Sequence, residues 1–189
     1  MVGAKLFLIM GCITVANFAL AQRMAGLVVL NSGDTLRGIF KLPSAKYLLH
    51  HEVVFGPDES FNEKYKLYPE EVKGFSIGED VYESHFIWSG KATKKFLKIA
   101  VTGYCTLFEY QHTSKNSKGI VGQPVRQYYA QKMNQLLHTL DFVKLRKGKD
   151  TYFADNIGLT LDIRHGHYKK SELPEIVRRY NQEYIHSTE

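Results

Sequence analysis

From residue 25 to about residue 139 the chain is a succession of short runs rich in β-branched and aromatic residues, each ended by a polar or glycine-bearing break. That rhythm points to antiparallel β-structure more strongly than any other property of the chain. Leu27–Leu30 and Thr35–Phe40 flank Asn31-Ser32-Gly33-Asp34, a hairpin signal. Glu52–Phe55 is a short strand stopped by Gly56-Pro57-Asp58, which cannot easily continue a ladder. Tyr65–Tyr68 and Gly74–Ile77 are further short strands, and Pro69–Val72 suits one helical turn. In Val81–Trp88 the alternation places Tyr82, Ser84, Phe86 and Trp88 on one face and Val81, Glu83, His85 and Ile87 on the other. Phe96–Thr102, Tyr104–Tyr110 and Val125–Lys132 complete the series, with 111–124 as an exposed loop.

Helical signals begin near Thr139, placed to cap a helix through Phe142, Val143, Leu145, Tyr152 and Phe153 that Asp155-Asn156 would end. Ile157–Ile163 is readable as a short helix or a strand. The last segment is clearer. Ser171 suits an N-cap, Glu172 and Glu175 sit in the first turn, and Leu173, Ile176, Val177, Tyr180 and Tyr184 form an apolar stripe. The expected fold class is α+β: a mostly antiparallel β-sandwich or partly open barrel of about seven or eight strands over 22–139, then two or three helices over 140–189 packed on it.

Residues 1–21 read as an address. Lys5 is the only charge before Arg23, the stretch from Leu6 is mostly apolar, and Ala19-Leu20-Ala21 offers small residues where a signal peptidase reads. Cleavage after Ala21 would leave Gln22 as the N-terminus. A retained anchor is disfavoured because the apolar stretch is short and carries Asn17. Ile9-Met10-Gly11-Cys12 has some likeness to a lipoprotein box, but Met at its middle position and the very short preceding run favour Cys12 as an apolar filler. Losing Lys5 lowers the net charge from +6 to +5 and leaves Cys105 as the sole cysteine. An exported domain with one cysteine has no internal disulfide and relies on its core. The product would be periplasmic, outer-membrane associated or secreted, with no transmembrane segment after cleavage.

Several segments resemble, in order, a family of exported β-rich proteins of Bacteroidota. Leu27–Gly38 resembles their G-x-I-V-x-x-x-G-D-T-I-x-G opening, and Tyr68–Phe75 their Y-x-P-x-D-I-K-x-F segment. Phe96–Gly103 with Leu107–Tyr110 resembles their paired strands, and Phe153-Ala154-Asp155 and Ile176–Asn181 also fit. The resemblance spans most of 26–182. It implies an exported module, sometimes placed before an outer-membrane barrel, and it implies no catalytic residues. Relatives often carry Cys-Pro where this chain has Asn156-Ile157, so any bond made by that cysteine would be missing here.

The chemical parts are sparse. Asp162, His165 and His167 form the densest ligand cluster; a strand would bring His165 and His167 to one face and a helix Asp162 and His165, and neither supplies a third and fourth ligand at a recognisable metal spacing. His50 and His51 are adjacent, so on a strand they point oppositely. Cys105 faces the same way as Leu107 and reads as a buried filler; a nucleophile would need a base, for which His85 and His112 are the candidates. No nucleophile elbow or phosphate loop is present. Glu70-Glu71 and Glu79-Asp80 fall at turns, where solvated acids are common. The basic excess is spread along the chain; Lys91, Lys94, Lys95 and Lys98 are its densest cluster, able to touch anionic lipid or polysaccharide. Nucleic acid is not an expected partner.

The expectation is an exported, non-enzymatic module that needs no cofactor and binds another envelope component, for which an outer-membrane protein is one candidate. The first alternative is a carrier with a lipocalin-like cavity lined by Tyr82, Phe86, Trp88, Tyr104, Phe108 and Tyr110. The second is a hydrolase assembled from residues distant in sequence.

Overall fold

The computed structural model describes residues 22–88, 90–113 and 122–187, with side chains to Tyr184. The segment expected to be a signal, residues 1–21, lies outside the described residues. The strands are β1 (Arg23–Leu30), β2 (Thr35–Lys41), β3 (Val53–Gly56), β4 (Tyr65–Leu67), β5 (Val72–Ile77), β6 (Asp80–Trp88), β7 (Ala92–Val101), β8 (Cys105–His112), β9 (Val125–Lys132) and β10 (His138–Leu140). They form one antiparallel ten-stranded sheet in the order β10-β9-β8-β7-β6-β5-β1-β2-β3-β4. From β1, which lies mid-sheet, the chain winds out to the β4 edge, crosses back to the other side of β1, and winds out again to β10.

This corrects the expected sandwich or partly open barrel of seven or eight strands. The sheet is not closed, and β4 and β10 are three-residue edge strands, too short to show alternation. Short edges also limit pairing with other chains.

The helices are α1 (Phe142–Arg146), α2 (Ile157–His165) and α3 (Leu173–Ser187). Thr139 lies in β10, so Asp141 caps α1 instead, accepting from the amides of Val143 and Lys144. Gly148 ends the segment early by adopting φ +66°. Asn156 caps α2, which settles 157–163 as helix. Ser171 sits inside a 3-10 turn, Lys170–Glu172, that leads directly into α3. Pro69–Glu71 forms a hydrogen-bonded turn, not a helical one.

Two apolar cores meet the sheet. The first is aromatic. Phe55, Phe40, Phe75 and Phe96 contact one another in sequence with centroids 4.9–5.5 Å apart, and Tyr82 stacks on Phe75 at 4.6 Å. Gly38 makes room for it: a Cβ there would strike the Phe55 ring and the Gly56 carbonyl. The second core is built by β7–β9 with the helices. Val101, Cys105, Leu107, Tyr128 and Ala130 pack against Phe142, Phe153, Leu159, Ile163, Ile176, Val177 and Tyr180. The helical segment is therefore inseparable from that half of the sheet.

A smaller cluster, Ile87, Leu97, Phe108, Tyr110 and Tyr129, lies on the other face. Consecutive Phe96 and Leu97 are both fully buried, one in each cluster. At β7 the sheet is thus covered on both faces.

One joint in the ladder is made by a side chain. Strands β7 and β8 pair from Val101↔Leu107 to Lys98↔Glu109. Beyond that the His50 imidazole, carried in by a 3-10 turn at Lys46–His50, stands between them. Its Nδ1 lies 2.6 Å from the Phe96 carbonyl, and its Nε2 accepts from the Gln111 amide at 3.1 Å. A carbonyl can only accept, so Nδ1 carries the proton and the ring is neutral.

Candidate functional site

The most concentrated polar chemistry lies where the helices meet the sheet. Lys132, at the end of β9, is 6% exposed. Its ammonium donates to both carboxylate oxygens of Asp155 at 3.0 and 2.9 Å and sits over the rings of Tyr152 and Tyr180 at 4.9 and 4.8 Å. The Tyr180 hydroxyl donates to Asp155 at 2.5 Å. Desolvation works to raise the Asp155 carboxyl, but the Tyr180 and Lys132 donors outweigh it and hold it below the ordinary carboxylate value. The cation is held between two rings and a carboxylate, and the arrangement clamps the turn before α2 to β9.

Cys105 belongs to the same region. The thiol is fully buried, and burial pushes it up to about 11. Its polar neighbour is the Tyr152 hydroxyl at 3.9 Å. The two candidate bases lie elsewhere: His85 contacts Glu83 and the Phe108 ring, and His112 stacks on Tyr110. A protonated, enclosed thiol without a base is a packing residue.

Asn181, unnoticed as a polar group in the sequence, fixes α3 to the β7–β8 connection. Its Oδ1 accepts from the Cys105 amide at 2.8 Å, and its Nδ2 donates to the carbonyls of Cys105 and Thr102 at 2.9 and 3.3 Å. Gly103, at φ +152°, permits this approach; a Cβ there would collide with the Asn181 amide. No sequence pattern links positions so far apart.

The remaining clusters resolve into surface pairs. Asp162 accepts from Arg179 at 2.6 Å and lies 3.0 Å from His167, so its oxygens are committed. His165 and His167 have ring centroids 6.0 Å apart. Among the described residues no group of three His, Cys, Asp or Glu could hold a metal ion. Glu71 accepts from the Tyr68 amide, and Asp80 pairs with Lys98 at 2.6 Å.

The six aromatic residues expected around one cavity do not meet. Tyr82 is in the aromatic core, Phe108 and Tyr110 are in the cluster on the other face, and Tyr104 stacks on Tyr184 at 3.5 Å against α3. Phe86 and Trp88 are in no core: they are 68% and 73% exposed. The physical reason is a change of buried face along β6: Tyr82, Phe86 and Trp88 share a face that is covered at Tyr82 but open at the far end of the strand, where Ile87 is buried on the opposite face.

These two rings define the candidate binding surface. They stand two residues apart on one face of the β6–β7 hairpin, opposite Lys94 and Ala92. The Lys94 ammonium lies over the Phe86 ring at 5.8 Å, Lys91 is exposed at the tip beside Gly90, and Lys95 donates to His51. Residues 86–95 carry three lysines and no acid. On the back of the hairpin Ile87 and Leu97 are buried, which anchors it. Other exposed apolar residues include Met133 and Leu136 at the β9–β10 turn, with no charge between them, and Ile157 and Leu161 on α2.

The fold and surface define an open antiparallel sheet, half covered by helices, that displays an aromatic and basic hairpin. No family model, curated protein or solved structure matches the chain. Among the described residues no helix is long and apolar enough to cross a membrane.

Proposed function

We propose that this chain is an exported, non-enzymatic module that attaches to another component of the cell envelope through the outward face of the β6–β7 hairpin. One observation carries the reading: Phe86 and Trp88 are two large rings left in water on a hairpin whose other side is firmly packed. Fully burying such a side chain contributes roughly 1.5–3 kcal/mol, so a partner covering both gains substantially. The packed back face means little ordering is lost on docking. The signal-like N-terminus and the resemblance to exported proteins supply the location.

Fractionation tests it. The chain should appear with Gln22 at its N-terminus and sediment with envelope material. Phe86→Ser/Trp88→Ser should fold normally by circular dichroism yet move to the soluble fraction. Equal distribution of the two proteins would refute the hairpin as the docking surface.

A second reading, a small apolar-ligand carrier, draws on a hollow of about 740 Å³ bordered by Met24, Leu42, Pro43, Leu49, Ile77 and Tyr82. Its volume suits a small ligand. Saturable binding of a fluorescent fatty acid, blocked by Ile77→Trp, would favour it over docking; no uptake would remove it.

A further inference from the structure

We infer that the surface recognised by the β6–β7 hairpin is a lipid bilayer bearing anionic headgroups. This rests on the docking reading above and names its partner.

The composition of the patch separates lipid from protein. Protein interfaces are enriched in arginine and depleted of lysine. The hairpin tip has Lys91, Lys94 and Lys95, and no arginine, between residues 86 and 95. Tryptophan is the residue that concentrates at membrane–water boundaries, where its ring is apolar and its N–H still reaches water. Lysine suits the same boundary because its stem can lie along apolar surface while the ammonium reaches a phosphate.

The geometry agrees. Lys94 already rests its ammonium near the Phe86 ring at 5.8 Å, so ring and cation are offered together. Trp88 pairs with Ala92, a small residue, Gly90 has φ +84°, and Trp88 is 73% exposed among the described residues. Among the described residues no ion pair engages these cations, and Lys95 donates to an imidazole nitrogen of His51, a neutral acceptor. Near an anionic surface each lysine contributes about a fivefold gain in partitioning, and the gain is lost as salt screens it.

Trp88 is the only tryptophan of the chain, so the residue proposed to enter the interface is also the probe. The mature protein is titrated with vesicles of phosphatidylethanolamine and phosphatidylglycerol, and in parallel with vesicles of phosphatidylcholine alone. Anionic vesicles should shift Trp88 emission to the blue, and brominated acyl chains should quench it. High salt should reverse both effects, and neutral vesicles should produce neither. Lys91→Ala/Lys94→Ala should weaken partitioning by roughly 25-fold at low salt, with an unchanged far-ultraviolet spectrum. Equal binding to both vesicle types would overturn charge recognition. No shift and no quenching would overturn the lipid assignment. If Phe86→Ser/Trp88→Ser still left the envelope fraction in that case, the docking reading would survive with a protein or polysaccharide partner. If it did not, both would fall.

Discussion

The two halves of this sheet are stabilised by different means. On β1–β7 a row of aromatic rings fills one face over glycine-spaced strands, and that core draws on a 3-10 turn but on no α-helix. On β7–β9 three helices complete the core, and they are fastened by polar groups: buried Lys132 with half-exposed Asp155, and buried Asn181 with the backbone around Cys105. The difference teaches where specificity is needed. Rings on a twisted sheet settle by shape alone, whereas helices laid over a sheet can slide, and a directional bond between distant positions fixes their register.

This contrast is exposed to direct attack. The largest effect should come from Asp155→Ala, which strands the Lys132 ammonium between two rings. Breaking a buried pair costs about 3–5 kcal/mol, and the half-exposed Asp155 side chain places this one near 3. Adding Lys132→Met should recover most of the loss in urea unfolding, because a methionine fills the space without a charge. If the double variant is no better than Asp155→Ala, the pair is not the clamp described. Next, Asn181→Ala leaves the buried Cys105 amide and carbonyl without partners and should lower stability by about 2 kcal/mol. Hydrogen exchange should quicken at the Cys105 amide while amides of the aromatic half keep their protection.

Acidity should separate the halves in two steps. Burial lowers the His50 imidazole from 6.5, against the opposing hydrogen bond to Phe96. The unfolded chain therefore takes up a proton that the folded chain resists, and stability falls as pH drops below 6.5. Protonation also removes the acceptor for the Gln111 amide, so the β7–β8 joint should loosen first. Asp155, held below 3.8, contributes stability that is present above that pH and is lost as pH falls through its depressed value. Urea midpoints followed against pH should show both steps, with His50→Gln reducing the upper one, to which His51, also lowered by burial, adds its share. The smallest effect should come from Lys66→Ala. Its pair with Glu52 is exposed on both sides and screened by solvent, so its loss should leave the urea midpoint nearly unchanged.

The sequence made the strands legible wherever alternation ran for several residues, as in β6 and β7, and made α3 legible through its apolar stripe. It hid β10, which is too short for periodicity, and the cap of α1, because Thr139 and Asp141 are equally suitable residues. The polar clamps were invisible for a different reason: Lys132 and Asp155 are 23 positions apart, Asn181 and Cys105 76, and no local pattern encodes such a meeting. Phe86 and Trp88 were correctly placed on one face with Tyr82. Which face is buried at each point along β6 depends on what packs against the sheet there, and that is tertiary information.

The account turns on whether the β6–β7 hairpin is where this chain meets its partner. A photoreactive phenylalanine analogue placed at residue 86, and for comparison at Val143 on the exposed side of α1, would report this in intact cells. Illumination should yield adducts with envelope lipid or protein from position 86 and none from position 143. Equal labelling at the two positions, or labelling from 143 alone, would contradict it.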